Sequence, residues 1–365
     1  MAKIKQKMSG KKKFGMAVCI ILALFLLADG CLSVYVYDDN FNKRFESYEP
    51  LMLYVDDFEN LQRTEYRFPS DKGQMLTGFL YSSGEGQKGI IVLAHGFGGG
   101  GHNSYMDCAD FFAKNGYYVF AYDATGNDES EGDGVGGLPQ GIADLDSAIT
   151  FVEQNEAFSR LGNLPIFLFG HSWGGYAVCS VLQFHPEVKA VVECSGFNRS
   201  CDLFEAQGKK EVDVGIYAMM PFVKAYERLK FGKYATATAM DGFAASDAAV
   251  LVLHSADDNV VPIPYGYDIF YAKYKDDSRF TFIRAEDRGH SYVYNDMTYI
   301  NEFNAGFDKW METLDYDYKA DENKERFKKD KADYIHAHLD RSRWCDMLDR
   351  ELFGQFLRFY DSHIQ

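Results

Sequence analysis

The sequence predicts an α/β protein with a mostly parallel central sheet and helices on both faces of that sheet. The first observation is a set of short, uninterrupted apolar runs, such as "GIIVLAHG" (89–96) and "LPIFLFG" (164–170). Such runs are typical of strands that are buried on both faces. The second observation is that amphipathic stretches typical of helices lie between these runs. The 365 residues are enough for one large domain with insertions.

The elements of this domain, predicted at 65–365, can be assigned in chain order. Two alternating stretches, "TEYRFPS" and "MLTGFLYSS", predict an antiparallel hairpin at its start. The later strands are predicted at 89–96, 117–126, 164–170, 188–196, 248–258 and 279–290. The helices are predicted at 103–116, 138–155, 173–184, 263–275 and 344–361. Two long segments interrupt the alternation: 197–247, which predicts one or two helices with loops, and a charged helical insertion at 297–343.

Composition excludes several classes of function. Beyond residue 30 the chain carries 32 basic and 53 acidic side chains. A body this acidic repels polyphosphates, so we expect no nucleic-acid partner. The seven cysteines form no Cys-x-x-Cys pair, and no His-Glu-x-x-His motif occurs. We therefore expect neither a zinc site nor a disulfide framework, and no metal or organic cofactor.

The first 37 residues predict a basic targeting or anchoring segment, and the mixed, charged residues 38–64 predict a juxtamembrane connector. Six lysines precede Phe14–Ala28, which carries no charge, and this order indicates a membrane address. The apolar run measures about 22 Å as a helix, against about 30 Å of hydrocarbon. Three alternatives remain open: a signal anchor, a signal peptide cleaved after Gly30, and a lipoprotein signal that uses Cys31. All three place the rest of the chain outside the cytoplasm.

The stretch "FGHSWGG" (169–175) lies between a predicted strand and a predicted helix. Gly-x-Ser-x-Gly in this context is typical of a nucleophile elbow, a sharp turn that exposes the serine hydroxyl. Gly170 and Gly174 suit that turn, because larger side chains would collide with the neighbouring strand and helix. The elbow therefore makes Ser172 a candidate nucleophile that needs a base and an acid.

The base and the acid are predicted at the ends of the last two strands. "LHSADDNVVP" (253–262) follows the penultimate strand, and "EDRGHSYVY" (286–294) follows the last one. Sites in open α/β sheets form at the carboxyl ends of the strands. The chain order Ser172, Asp258, His290 is the one expected of a triad built on such an elbow.

These motifs, with "LAHGFGGG" (93–100) and "YDATGNDESEG" (122–132), resemble those of the α/β-hydrolases. The chain is most similar to the membrane-anchored bacterial branch grouped with serine aminopeptidases (S33) and monoacylglycerol lipases. The resemblance covers residues 65–295 and the final helix. It implies an α/β-hydrolase fold with a small helical cap in the 197–247 insertion, and a serine hydrolase activity.

The resemblance also assigns roles to the matching positions. Ser172 would be the nucleophile, His290 the general base and acid, and Asp258 the group that orients the imidazole. The backbone N–H groups of Phe97 and Trp173 would form the oxyanion hole.

Neighbouring residues would support these groups. Gly96, Gly170, His171 and Gly174 are expected to shape the elbow and the loop of the oxyanion hole. Asp257 is adjacent to Asp258 and stays open as the acid, although the family spacing favours Asp258. Asp128 stands where the family has a glycine, and we expect an acidic, solvated loop there.

The cap carries apolar side chains at helical spacing. They are candidates for a substrate pocket, with simple packing of the cap onto the sheet as the equal alternative. These residues are Met219, Met220, Phe222 and Tyr226.

The sequence thus predicts a membrane-associated serine hydrolase that acts through an acyl-enzyme on Ser172. The expected substrates are carboxylic esters, acylglycerol-like or small. The first alternative is a peptidase of the S33 aminopeptidase type that acts on short peptides. The second is a binding protein of the same fold without turnover, which the complete set of triad and oxyanion positions argues against.

Overall fold

A computed structural model describes residues 10–84 and 88–364 of the chain. The first three lysines of the basic amino terminus, Lys3, Lys5 and Lys7, lie outside the described residues. The strands are β1 (Gln62–Pro69), β2 (Met75–Ser82), β3 (Ile90–Ala94), β4 (Tyr118–Tyr122), β5 (Ile166–His171), β6 (Ala190–Cys194), β7 (Ala249–Ser255) and β8 (Phe280–Ala285).

These eight strands form one sheet in the order β1-β2-β4-β3-β5-β6-β7-β8. β2 pairs antiparallel with both β1 and β4, and every later pair of neighbours is parallel. The predicted mostly parallel sheet, opened by an antiparallel hairpin, is confirmed.

The helices cover both faces of the sheet and the ends of its strands. They are α1 (Gly10–Phe41), α2 (Met106–Lys114), α3 (Gln140–Gln154), α4 (Glu156–Ser159), α5 (Trp173–Ser180), α6 (Ser200–Val212), α7 (Ile216–Phe231), α8 (Ala239–Ala245), α9 (Tyr267–Tyr274), α10 (Met297–Met311), α11 (Lys324–His338), α12 (Arg341–Trp344) and α13 (Arg350–Asp361).

The continuous apolar strands are explained by two separate cores. Successive side chains of a strand point to opposite faces. Ile90 and Val92 of β3 therefore pack in a core with α3 and α5, whereas Ile91 and Leu93 pack in a second core with α2 and α13. Both faces of the strand are covered, so all of its residues are apolar.

The 197–247 segment forms the cap as three helices, α6, α7 and α8, one more than the sequence predicted. α6 and α7 lie side by side as a helical hairpin, and Ile216 at the start of α7 packs next to Gly208 of α6. The 297–343 segment holds α10, α11 and most of α12.

The amino-terminal helix α1 is longer than the apolar run predicted. It has 32 residues and contains a window with a mean hydropathy of 2.5, so its length and composition are sufficient to cross a membrane. The helix extends four residues beyond the predicted segment 1–37, to Phe41. Tyr37 and Phe41 are buried, and Tyr37 packs on Tyr226 of α7 and on Phe204 of α6.

The 38–64 segment, predicted as a juxtamembrane connector, packs against the rest of the chain. Phe45 forms a β-bridge with Asn127, Leu53 and Phe58 are buried in the core beside α2, and β1 begins at Gln62. Apolar side chains at intervals along a charged segment fix it to the domain, since their burial outweighs the freedom that the backbone loses.

A buried hydrogen-bond network joins α1 to the cap. The Tyr37 hydroxyl donates to Glu227 Oε1 at 2.5 Å and accepts the Leu138 N–H at 3.1 Å. The Ser200 hydroxyl donates to the second oxygen, Glu227 Oε2, at 2.6 Å. Burial raises the pKa of Glu227 to about 7, although the hydrogen bonds from Ser200 and Tyr37 oppose this shift.

We expect Tyr37→Ala to lower the free energy of unfolding by about 3–5 kcal/mol, because it opens a cavity and leaves Glu227 Oε1 without its donor. Tyr35→Ala is the matched control, since Tyr35 lies on the same helix and is 68% exposed. Thermal unfolding of the detergent-solubilised chain measures both. Equal midpoints for the two variants would mean that α1 is only a tether.

Candidate active site

Ser172 lies on the turn between β5 and α5 and has φ 57° and ψ −116°. A positive φ is unfavourable for a residue with a side chain and costs about 1–3 kcal/mol. The Ser172 N–H donates to the Cys194 carbonyl at 2.8 Å, which ties the turn to the adjacent strand β6. The strained turn raises the serine above the carboxyl edge of the sheet, as the sequence predicted for an elbow.

Gly170 and Gly174 make this turn possible. A Cβ at Gly174 would collide with the Ala94 carbonyl of β3, and a Cβ at Gly170 would collide with the backbone of Gly174. Backbone atoms cannot move aside as a flexible side chain can, so α5 approaches the sheet this closely only with glycine at both positions.

Ser172, His290 and Asp258 form a hydrogen-bonded chain. His290 Nε2 is 2.8 Å from Ser172 Oγ, and His290 Nδ1 is 2.7 Å from Asp258 Oδ2. Nδ1 donates to the carboxylate, so Nε2 is free to accept the serine proton. All three side chains are almost entirely buried, which strengthens these interactions relative to water.

Asp258, and not Asp257, is the carboxylate at His290. Its other oxygen, Oδ1, accepts the N–H groups of Val260 and Val261 at 2.9 and 2.8 Å. Burial alone would raise the pKa of Asp258, but the hydrogen bonds from His254 and His290 outweigh burial and hold that pKa well below its usual range. The carboxylate therefore stays ionised next to the imidazole.

Asp257 points away from His290 and shapes the loop that carries it. Its Oδ1 accepts the Ser255 hydroxyl at 2.6 Å and the Gly289 N–H at 2.9 Å. Ser255 Oγ in turn accepts the Arg288 N–H at 2.9 Å. These bonds link the loop after β7 to the loop after β8.

The two backbone N–H groups proposed for the oxyanion hole lie on either side of the elbow. Trp173 is the first residue of α5, so its N–H has no partner within the helix. Phe97 follows β3, and its ring packs edge-on against Trp173 with centroids 5.6 Å apart. On its other sides Phe97 contacts Phe41 and Phe45, so the end of α1 and the segment after it hold the loop that carries Phe97.

His171 supports the triad histidine from behind. Its Nε2 is 3.0 Å from the His290 carbonyl, and its Nδ1 is 3.0 Å from the Tyr105 hydroxyl. That hydroxyl also accepts the Gly96 N–H at 2.9 Å. Burial lowers the pKa of His171 to about 3, so the imidazole is neutral and does not compete for a proton. The sequence offered no sign of Tyr105, because its partner is 66 residues away.

Asp128 has a structural role that the sequence did not predict. It is half-buried, and its carboxylate accepts the N–H and the hydroxyl of Ser47, each at 2.6 Å, and the Gly101 N–H at 2.7 Å. The expectation of an acidic, solvated loop is wrong at this position. The aspartate joins the segment after α1 to the glycine-rich loop that contains Phe97.

Comparison with known proteins agrees with this geometry. A family model described as serine aminopeptidase, S33, matches residues 85–212. An esterase from Pyrococcus furiosus superposes with a TM-score of 0.52 at 17% identity, over 74% of this chain and 98% of that one. The chain has the α/β-hydrolase fold.

Two curated relatives show how far this likeness extends. A proline iminopeptidase from Clostridioides difficile is 31% identical over 35% of this chain and 41% of its own length. A caffeoylshikimate esterase from Arabidopsis thaliana is 28% identical over 35% of this chain and 38% of its own length. The chain thus spans only about two fifths of the curated relatives it matches.

The α/β-hydrolase site opens into a cavity of about 390 Å³. Besides the elbow residues His171 and Ser172, four parts of the chain line it: the segment after α1, the glycine-rich loop with the start of α2, the loop after β8, and the carboxyl-terminal region. The cap contributes none of the described lining. Representative residues are Tyr48, Leu51, Met52, Leu53, Phe97, Tyr105, Asp107, Tyr292, Trp344 and Met347. Sequence patterns did not predict the contributions of the segment after α1 and of the carboxyl-terminal region, because no local pattern marks a residue that meets a distant loop.

The predicted pocket residues of the cap lie elsewhere, and this prediction is corrected. Met219, Met220, Phe222 and Tyr226 are absent from the described residues that border the cavity. The Phe222 ring lies against Gly30 of α1, and the Tyr226 hydroxyl donates to Asp38 at 2.8 Å. Met220 is buried in the main core, with Met219 packed against it. Their helical spacing serves the packing of the α/β-hydrolase cap on α1.

We expect Gly174→Ala to lower the free energy of unfolding by about 3 kcal/mol or more, because the new methyl group meets the Ala94 carbonyl. Gly99→Ala is the matched control, since a Cβ at Gly99 has no atom within 4 Å. Thermal unfolding of both variants tests this. Equal stability would show that α5 can move away from the sheet.

Proposed function

We propose that this α/β-hydrolase is a serine hydrolase that cleaves carboxylic esters through an acyl-enzyme on Ser172. The observation that carries the proposal is the chain of hydrogen bonds from Ser172 Oγ through His290 to Asp258, at 2.8 and 2.7 Å. A nucleophile within reach of a base, itself oriented by a buried carboxylate, is the arrangement that acyl transfer requires.

The proposed reaction has two halves. Ser172 Oγ attacks the ester carbonyl while His290 Nε2 takes its proton, and the leaving alcohol then receives that proton. Water repeats the attack on the acyl-enzyme, with His290 again as the base. The N–H groups of Phe97 and Trp173 would donate to the oxyanion in both halves, a contribution of about 3 kcal/mol for each donor.

The cavity favours an ester with an apolar acyl or aryl group. Its walls are mainly aromatic and aliphatic, and the described lining contains no lysine or arginine. Two of the similar proteins are named as esterases, which supports the same class of substrate.

Asp107 supports a second candidate, an aminopeptidase of the S33 type acting on short peptides. It is the single acidic side chain among the described residues that border the cavity, and it is 7% exposed. A free peptide amino group needs an anionic partner, and a carboxylate provides one. Burial raises the pKa of Asp107 to about 6, so it is largely ionised at neutral pH.

We also propose that α1 anchors the hydrolase in a membrane, with the catalytic domain on the outer side. The helix is long and apolar enough to cross a membrane, which supports an anchor; a cleaved signal and a lipoprotein signal are the alternatives. A basic amino terminus stays on the cytoplasmic side. The intact mass of the membrane-bound protein distinguishes an anchor from a cleaved signal and from a lipoprotein.

A fluorophosphonate probe is expected to label the wild-type chain at Ser172, because the probe forms a covalent bond with an activated serine. Ser172→Ala should abolish labelling. Asp258→Asn should slow labelling by about 10⁴-fold, because the imidazole loses the group that fixes its tautomer. In-gel fluorescence over time gives the rates.

Asp257→Asn is the control for this experiment, since Asp257 bonds the loop and not His290. It should keep the labelling rate within about tenfold of the wild type. A folded wild-type chain that resists labelling would refute the proposed activity, and a greater loss with Asp257→Asn would transfer the acid role to that residue.

We expect nitrophenyl esters to be turned over faster than aminoacyl anilides, and Asp107→Asn to leave ester turnover unchanged. Asp110→Asn is the matched control, on the same helix and equally exposed at 7% but outside the cavity lining. A tenfold or greater loss of anilide turnover with Asp107→Asn alone, about the value of one charged hydrogen bond, would assign the site to a peptidase.

A further inference from the structure

The hairpin of α6 and α7 ends in an exposed apolar turn, residues 212–217, here named the cap tip. Val212, Val214 and Tyr217 are 53%, 70% and 50% exposed. Apolar side chains gathered on one exposed turn are unusual in water and indicate a contact with an apolar partner. Nothing in the proposed chemistry at Ser172 uses them.

The direction of α7 relative to α1 shows which partner the cap tip can reach. Phe222 near the start of α7 lies against Gly30, and Lys230 near its end lies 3.5 Å from Asp38. Residue numbers rise together along the two helices, so α7 runs parallel to α1. The start of α7 and the cap tip therefore point toward the apolar half of α1.

The depth of the cap tip follows from helix geometry. Ile216 precedes Phe222 by six residues, about 9 Å at 1.5 Å per residue. The residue of α1 six positions before Gly30 is Leu24. Leu24 is 60% exposed and belongs to the uncharged run Phe14–Ala28. The cap tip therefore lies level with the part of α1 that a bilayer would enclose.

Helix α6, which leads to the cap tip, also borders a groove that reaches Phe97. An apolar groove of about 580 Å³ runs along α6 past Leu203 and Gln207 to Phe97. Gln207 donates to the Val260 carbonyl at 2.5 Å, and Lys210 donates to the Asn259 carbonyl. These bonds join α6 to the loop that holds Asp258.

We propose that the cap tip is a second membrane-binding surface, whose apolar side chains enter the interfacial region of the same bilayer that holds α1. The partner is the lipid surface, chosen because the tip and the apolar half of α1 are at the same level. Short apolar segments bind such surfaces by burying their side chains at the boundary between headgroups and acyl chains. The inference rests on the proposed anchoring by α1 and is independent of the chemistry at Ser172.

The test places single tryptophans in the full chain, reconstituted in phosphatidylcholine nanodiscs with or without bromine on the acyl chains. Val214→Trp reports the cap tip, and Leu22→Trp reports α1. Leu229→Trp is the matched control, on the opposite end of α7 and 88% exposed. The signal of the wild-type chain, from Trp173, Trp310 and Trp344, is subtracted.

Bromine quenches tryptophan only in direct contact with lipid, so the added fluorescence should fall about twofold or more at 214 and 22, and stay unchanged at 229. Quenching at 22 without quenching at 214 would overturn the inference while leaving the anchor intact. A blue-shifted but unquenched signal at 214 would overturn it in favour of a second copy of the chain. Absence of quenching at both 22 and 214 would refute the anchor and the inference together, whereas fluorophosphonate labelling would still report the hydrolase.

Discussion

Ser172 has a positive φ, and this strained backbone depends on the close approach of α5 to strands β3 and β5. Gly170 and Gly174 permit that approach because each would otherwise carry a Cβ into neighbouring backbone. The same approach directs the first N–H groups of α5 toward the serine. The parallel strands then bring the loops after β3, β7 and β8 to one edge of the sheet, where Phe97, Asp258 and His290 meet Ser172.

What could be predicted from the sequence was local in origin. The sheet and the elbow are encoded in short patterns, namely apolar runs and glycines at fixed offsets from Ser172. The walls of the cavity were missed because they depend on contacts between distant segments. Trp344 Nε1 donates to the Leu51 carbonyl across 293 residues, and no periodicity or motif reports such a pairing.

The cap shows a second limit of prediction from sequence. Met and aromatic residues at helical spacing predict that one face of a helix is covered, without identifying what covers it. The sequence left substrate and packing open as equal alternatives. In the structure Phe222 and Tyr226 are covered by α1, because α1 continues eleven residues beyond Gly30 as a helix with Tyr37 and Phe41 on its inner side.

The carboxylate of Asp128 links its own loop to Ser47 and Gly101, which border the cavity in front of Ser172. Trp344 and Met347, near the carboxyl terminus, complete the wall of that cavity. The order of synthesis therefore matters for this protein. A ribosome must synthesise the chain as far as Met347 before the walls around Ser172 can close, long after α1 has left the exit tunnel. Shorter nascent chains lack His290 and these walls, so the site around Ser172 can form only after these distant segments have been synthesised.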